Sequence, residues 1–246
     1  MGPVAPPEPL LELESNLVQV AISLFAPGTV EGTLQKIVEL AELAVDGCEA
    51  AGILLSDSGT LTTAAASSPL VITIDQMQID ANEGPCLAAA TQGATVYAND
   101  LIDDPRWPTF AAAATAAGIR TVLAYPLSMD QPSALNLYAR FPAAFGATDR
   151  AQGLLFATLA RLALDSARER AADANKAHNL TEALRTRELI GQAQGILIER
   201  DRITADQAFE VLRRASQNMN IKLREVAETL VETGETPPEH PRTDRS

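Results

Sequence analysis

The chain has 246 residues, 46% of them hydrophobic, and carries 19 basic against 32 acidic side chains, a formal net charge of −13. That length suits one large domain or two small ones, with enough apolar material for real cores, while the apolar runs, such as Ile53–Leu55 and Ala111–Ala114, are far too short to span a bilayer. The N-terminal stretch MGPVAPPEPLLELE has no Lys or Arg and does not read as a secretory signal, and Cys48 and Cys86 are the only cysteines, so a cytoplasmic protein with reduced thiols and no membrane association is expected. The charge is unevenly placed. Residues 1–130 hold 3 basic and 16 acidic side chains, whereas residues 176–232 hold 9 of each. An acidic front half repels phosphate backbones, so any nucleic-acid contact belongs near the C-terminus.

Four prolines in the first nine residues mark a disordered leader, set at residues 1–14. Helical spacing follows over residues 10–25 and 30–46, separated by Pro27-Gly28; Leu34, Ile37, Val38, Ala41 and Val45 form one apolar stripe on the second helix. A strand Ala50–Ser56, the turn Asp57-Ser58-Gly59 and a strand Leu61–Ala66 read as an antiparallel hairpin. Pro85–Thr91 predicts a short helix, Ala94–Tyr97 a short strand and Pro105–Ala117 another helix. Thr121–Ser128 and Ala134–Arg140 are the last strands, again adjacent and antiparallel. Elements in this order predict an α/β first domain, an antiparallel sheet flanked by helices.

From Asp149 the pattern changes, with no proline between Ala143 and Thr236. Leu155, Leu159 and Leu162 are spaced by four and three residues, as in a helix that pairs with a copy of itself or closes the sheet domain. A linking and dimerisation helix is set at residues 150–180. Residues 171–181 turn polar, compatible with a continuing helix or a joint. Three helices then make an all-α module. The first runs Leu180–Glu199, and the turn Asp201-Arg202 follows it. The capping box Thr204-Ala205-Asp206-Gln207 starts the second, which reaches about Met219. The third, Ile221–Glu232, has Leu223, Val226, Ala227 and Leu230 on one side. The tail 233–246 is expected to be disordered.

Catalytic groups are scarce. His178 and His240 are the only histidines, so the front half offers no axial haem ligand or imidazole base, and no cofactor or metal is expected. Cys86 is either a lone redox thiol or a buried structural one. Glu83-Gly84-Pro85-Cys86 either lines a pocket mouth at a helix N-terminus or simply starts a helix at Pro85. Trp107 and Phe110 either face a ligand or anchor their loop to the core. In the C-terminal module, Arg185, Arg187, Arg213, Arg214, Lys222 and Arg224 are either nucleic-acid ligands or a solvated charged face balanced by acids. Gly191 and Gly195 sit on one side of a helix, each at about 1 kcal/mol relative to alanine, and suggest close packing against another backbone.

The run Arg187-Glu-Leu-Ile-Gly-Gln-Ala-Gln-Gly-Ile-Leu-Ile-Glu-Arg200, with Ala208-Phe209, Leu212-Arg213, Ser216-Gln217 and Lys222-Leu-Arg-Glu-Val-Ala227, resembles the ANTAR family over residues 180–232. That resemblance implies a dimer that binds paired RNA stem-loops and keeps a downstream terminator hairpin from forming, with the six cations above and Gln194 as the RNA surface. The family usually has lysine where this chain has Gln194, seven residues after Arg187 on one helix face. Gln194 is read as exposed, a position where alanine would change little. Asn82-Glu-Gly-Pro-Cys-Leu87, Asp104-Pro-Arg-Trp-Pro-Thr-Phe110, Gly118-Ile-Arg-Thr121, Tyr125-Pro-Leu127 and Leu135-Asn-Leu-Tyr138 resemble GAF domains over residues 15–165, with Ser133 where a glycine is usual. This implies a sensor for an unidentified small molecule, with Glu83, Pro85, Cys86, Trp107, Phe110 and Tyr125 as pocket candidates. The expected function is thus a dimeric RNA-binding antitermination regulator under a GAF-like sensor, and not an enzyme. The alternatives are a DNA-binding regulator, because three short helices can mimic a helix-turn-helix, and a redox or small-molecule enzyme in the front half. A phospho-receiver is excluded because Lys36 is the only lysine before Lys176.

Overall fold

The apolar stripe Leu34, Ile37, Val38, Ala41 is buried along α2 (Val30–Ala44), whose N-cap Thr29 accepts from the Gly32 amide at 3.0 Å. The computed structural model describes residues 18–57, 59–128 and 131–235, so the predicted leader, the turn residue Ser58 and the predicted tail from residue 236 on lie outside the described residues, whereas Thr233, expected in that tail, ends the last helix; α1 is described over residues 18–25. The chain divides into two compact units, Met1–Ala171 and Ala172–Ser246.

In the first unit, β1 (Ala50–Asp57) and β2 (Thr60–Ala66) form the expected hairpin, and β3 (Val96–Ala98), β4 (Thr121–Pro126) and β5 (Ser133–Ala139) complete a wholly antiparallel sheet of order β2-β1-β5-β4-β3. Central β5 is buried along its whole length, so it carries a core on each face. Leu123, Tyr125, Leu135 and Leu137 pack with α2 and with the start of α6 (Ala147–Asp201). Val122, Ala124, Ala134 and Tyr138 pack under α3 (Pro69–Ala81), α4 (Pro85–Gln92) and α5 (Pro108–Ala116).

Three differences from the sequence reading have physical causes. Helix α3 has no counterpart there. Its buried positions are Val71, Ile74, Asp75 and Gln78, helically spaced but half polar, so no apolar stripe announces it. Helix α5 starts at Pro108 rather than Pro105, because Arg106 donates from its amide (3.1 Å) and its guanidinium to Asp104 and folds the preceding residues into a turn. The helix expected at Leu180–Glu199 is not separate: α6 runs 55 residues, through the polar and wholly exposed stretch 171–181. Helical geometry needs no buried face where glycine and proline are absent and alanine, lysine and leucine supply six of the eleven residues.

In the second unit, the end of α6 packs with α7 (Ala205–Met219) and α8 (Leu223–Thr233) around Ala193, Leu197, Ala208, Leu212, Val226, Ala227 and Leu230. The predicted capping box is formed in both directions: the Gln207 amide donates to Thr204 Oγ1 at 3.3 Å, and the Thr204 amide to Gln207 Oε1 at 2.9 Å. Asn220, in the left-handed region at φ 54°, ends α7. Among the described residues, no helix is long and apolar enough to cross a membrane.

Candidate functional site

In the second unit, burying Ala193 and Leu197 turns the opposite sides of α6 to solvent. Arg187 and Gln194 fall two turns apart on one face, and together with Glu182, Ala183, Thr186, Ile190 and Phe209 of α7 they line a concave surface of about 550 Å³. Gln194 is not a free surface residue: its Nε2 donates to the Ala205 carbonyl at 3.1 Å, tying α6 to the first turn of α7. Two of the candidate cations are engaged within the unit. Arg213 is held by Glu210 at 2.6 Å, which keeps the Glu210 carboxyl below its ordinary range, and Arg224 reaches Glu182 at 3.3 Å. Arg185, Arg187, Arg214 and Lys222 are exposed and form no salt bridge among the described residues. Lys222 is the N-cap of α8 and Arg224 lies in its first turn. A cation at that end opposes the helix dipole; Arg224 is offset by Glu182, whereas Lys222 has no salt bridge among the described residues and leaves its charge available to an anion. Gly191 and Gly195, expected to admit close approach of another backbone, a helix or RNA, face open space: among the described residues nothing lies within 4 Å of a Cβ at either.

In the first unit, five of the six pocket candidates gather on the α3–α5 face, in structural roles. Glu83 accepts from the Phe110 amide at 2.8 Å and so caps α5. Pro85 is the first residue of α4 and is buried. The Cys86 amide, the anion donor that a pocket mouth would need, is already taken by Gln78 Oε1 at 2.8 Å. Gly84 sits at φ 147°, and a Cβ there would strike the Gln78 side chain. Cys86 and Phe110 are fully buried, and Trp107 is nearly so beneath the Arg106 guanidinium, 4.1 Å above its ring. Tyr125 does not join them. It lies on the opposite face, where its hydroxyl donates to the Arg150 carbonyl at 2.7 Å.

A polar cluster that the sequence reading missed lies inside the α3–α5 face. Asp75 is fully buried, with no cation against it among the described residues. Tyr138 Oη and Asn136 Nδ2 (3.2 Å) donate to its Oδ1, and Thr63 Oγ1 donates to its Oδ2 at 3.0 Å. Burial outweighs these three donors and pushes the carboxyl up to about 6. Tyr138 Oη also touches Cys86 Sγ at 3.3 Å and accepts from Gln78 Nε2 at 3.4 Å. Asn136 Oδ1 is the one buried side-chain acceptor without a partner among the described residues. The available signal was Asn136 itself, an amide inside the strand Leu135-Asn136-Leu137-Tyr138, where a central strand should be apolar.

Of the three candidate dimerisation leucines, Leu155 and Leu162 are 44% and 53% exposed, whereas Leu159 is half-buried against the α2-side core. His178 is exposed on α6, and His240 lies outside the described residues.

A GAF domain profile matches residues 28–165, and an ANTAR domain profile matches residues 178–231. The chain belongs to the GAF domain family and carries a C-terminal ANTAR domain. It is therefore read as an RNA-binding regulator with a sensor domain. No curated protein matches the chain. Among solved structures, the GAF domain is similar to free methionine-R-sulfoxide reductase from Neisseria meningitidis, at 18% identity over 69% of this chain and 98% of that one, TM-score 0.51. The chromophore-binding domain of a bacteriophytochrome from R. palustris aligns at 10% identity over 68% of this chain and 64% of that one, TM-score 0.51. Both likenesses concern the fold. The thiols of this GAF domain lie on opposite faces of the sheet, Cys48 against the α2 side and Cys86 under α4, so they do not pair. Burial pushes Cys48 up to about 12 and Cys86 higher still, leaving neither as a ready thiolate.

Proposed function

We propose that this protein is a homodimeric transcription antitermination regulator whose ANTAR domain binds paired RNA stem-loops, under the control of a small molecule sensed by the GAF domain. The observation that carries this reading is the ANTAR match over residues 178–231 on a module that leaves Arg185, Arg187, Arg214 and Lys222 exposed and outside any salt bridge among the described residues. Arginines of this kind hold phosphates and stack on unpaired bases, the contacts by which RNA loops are recognised. RNA held in stem-loop form upstream is withheld from a terminator hairpin, so binding alone suffices and no catalysis is needed. We set the sensor at residues 15–165, the linking helix at 150–180 and the RNA-binding domain at 180–232. Leu155 and Leu162 would pair two copies, with Leu159 supporting that helix from the core side.

A duplex-DNA reading gains little. Its recognition helix would be α8, which presents Glu225, Glu228 and Glu232 beside Arg224, and carboxylates repel the groove's phosphate walls. The test is transcription in vitro through a template with two stem-loops ahead of a terminator, with the full chain added. Read-through should rise, and Arg187→Gln with Lys222→Gln should reduce it while lowering the salt slope of RNA binding by about 0.7 per lost contact. Unchanged termination with tight duplex-DNA binding would replace this reading by the DNA one.

A further inference from the structure

The concave surface on the ANTAR domain has features that phosphate binding alone does not require. Phe209 is the only aromatic residue after Phe156 in the whole sequence. Its neighbours Ala208 and Leu212 fill the interior of α7, yet Phe209 is left 38% exposed at the edge of the concavity. Ala183 and Ile190 give that surface an apolar floor, and the small Ala183 leaves room above it. The rim is polar and asymmetric. Arg187 is exposed with no ion-pair partner among the described residues, while Glu182 is engaged by Arg224 at 3.3 Å. Gln194 is held by its Nε2 bond to the Ala205 carbonyl, 3.1 Å, which leaves Oε1 as an acceptor with no partner among the described residues.

We infer that this surface, lined by Phe209, Ile190, Ala183, Arg187 and Gln194, takes one unstacked base of an RNA loop. The ring face of Phe209 stacks on the base, Gln194 Oε1 accepts from a base N–H, and Arg187 meets the adjoining phosphate. The occupant follows from complementarity. A nucleotide has a flat apolar face, an edge with donors and one negative charge, and the surface offers a counterpart to each. A base turned so that one of its acceptors, rather than an N–H, faces Gln194 would leave Oε1 unpaired. This inference rests on the RNA-binding reading and adds to it the contact that reads the loop.

The experiment uses the full chain and a pool of stem-loop RNAs with randomised loops. One enriched RNA is then made in versions with a single abasic loop position, one position at a time. For the wild-type protein, one abasic position should weaken binding about 5- to 100-fold, the range expected for losing a base–aromatic stack. Phe209→Leu, which keeps an apolar side chain but removes the ring, should weaken binding of the intact RNA by a similar factor. The abasic loss and the Phe209→Leu loss should not add, and Phe209→Tyr should retain wild-type affinity. Arg187→Gln should instead weaken all RNAs uniformly and lower the salt slope. If no stem-loop is enriched by the wild-type protein, the RNA-binding reading itself falls. If stem-loops bind and Arg187→Gln acts as stated, but Phe209→Leu binds like wild type or its loss adds in full to every abasic loss, RNA binding stands and the base site is overturned. A change in oligomeric state with Phe209→Leu at unaltered RNA affinity would mark the surface as a protein contact and overturn it equally.

Discussion

A single buried carboxylate shows how much a residue's surroundings matter. Asp75 ionises at an ordinary value of 3.8, and in the folded GAF domain its value is raised to about 6 by burial, against three neutral donors and no cation. The folded state thus binds this proton more tightly than the unfolded chain does. Stability contributed by protonated Asp75 is complete below pH 3.8 and is lost as the pH rises from there through about 6. The loss is on the order of 3 kcal/mol at neutral pH. A protonated Asp75 carries a donor of its own, and the side chain of Asn136, which donates to it, holds in Oδ1 the one buried acceptor without a partner among the described residues. Asp75→Asn removes the charge and keeps the shape. The variant should lose the pH dependence that wild type shows between about 4 and 6, and should match or exceed wild-type stability at pH 7.5. Chemical denaturation of both proteins across that range, compared as differences so that other carboxylates cancel, checks this. A difference between them that stays constant with pH would show that Asp75 ionises as freely in the fold as outside it. The sequence concealed this cluster because its members, Thr63, Asp75, Asn136 and Tyr138, meet only through β2, α3 and β5, and no local pattern joins them.

At the level of elements, legibility followed burial. Helix α2 and the strands were readable because each had a clean apolar period: Leu34, Ile37, Val38 and Ala41 on the helix, and the alternating Leu135 and Leu137 on β5. Helix α3 was unreadable because Asp75 and Gln78 take two of its buried positions. The continuity of α6 through residues 171–181 was only half readable, since a wholly exposed helix has no period to detect. The Arg187–Gln194 face was legible from spacing alone, but its partner Phe209 comes from α7 and needed the tertiary packing. The structure also sharpens the proposed dimer contact. Leu159 packs into its own domain, so a charge there would unfold the GAF core rather than test pairing, whereas Leu155 and Leu162 present 44% and 53% of their surface to solvent. The variant Leu155→Asp with Leu162→Asp should therefore sediment as a monomer and melt like wild type. A double mutant that sediments as a wild-type dimer would move the interface off this face of α6.

Over the whole molecule, charge is the property that links the two domains without any contact between them being invoked. The whole deficit of −13 comes from residues 1–130, which hold 16 acids and 3 bases, while residues 176–232 balance at 9 and 9. The charge of the GAF domain can act on an approaching RNA strand only over about the screening length, roughly 10 Å at 0.1 M salt. Glu31, Glu42 and Asp46 are exposed acids of the GAF domain that form no salt bridge among the described residues. Replacing them by Glu31→Gln, Glu42→Gln and Asp46→Asn touches none of the candidate RNA contacts. If the acidic domain restrains RNA binding, the triple variant should bind a stem-loop RNA a few-fold more tightly than wild type at low salt, mainly through faster association. The two proteins should converge at high salt, where screening removes the long-range field but leaves short contacts at Arg187 and Phe209 in place. Binding measured from about 20 mM to 500 mM salt separates this from a local effect, because the screening length shortens from roughly 20 Å to 4 Å over that range. Identical affinities at every salt concentration would mean that the GAF domain exerts no electrostatic restraint, and that any control it has over RNA passes mechanically along α6.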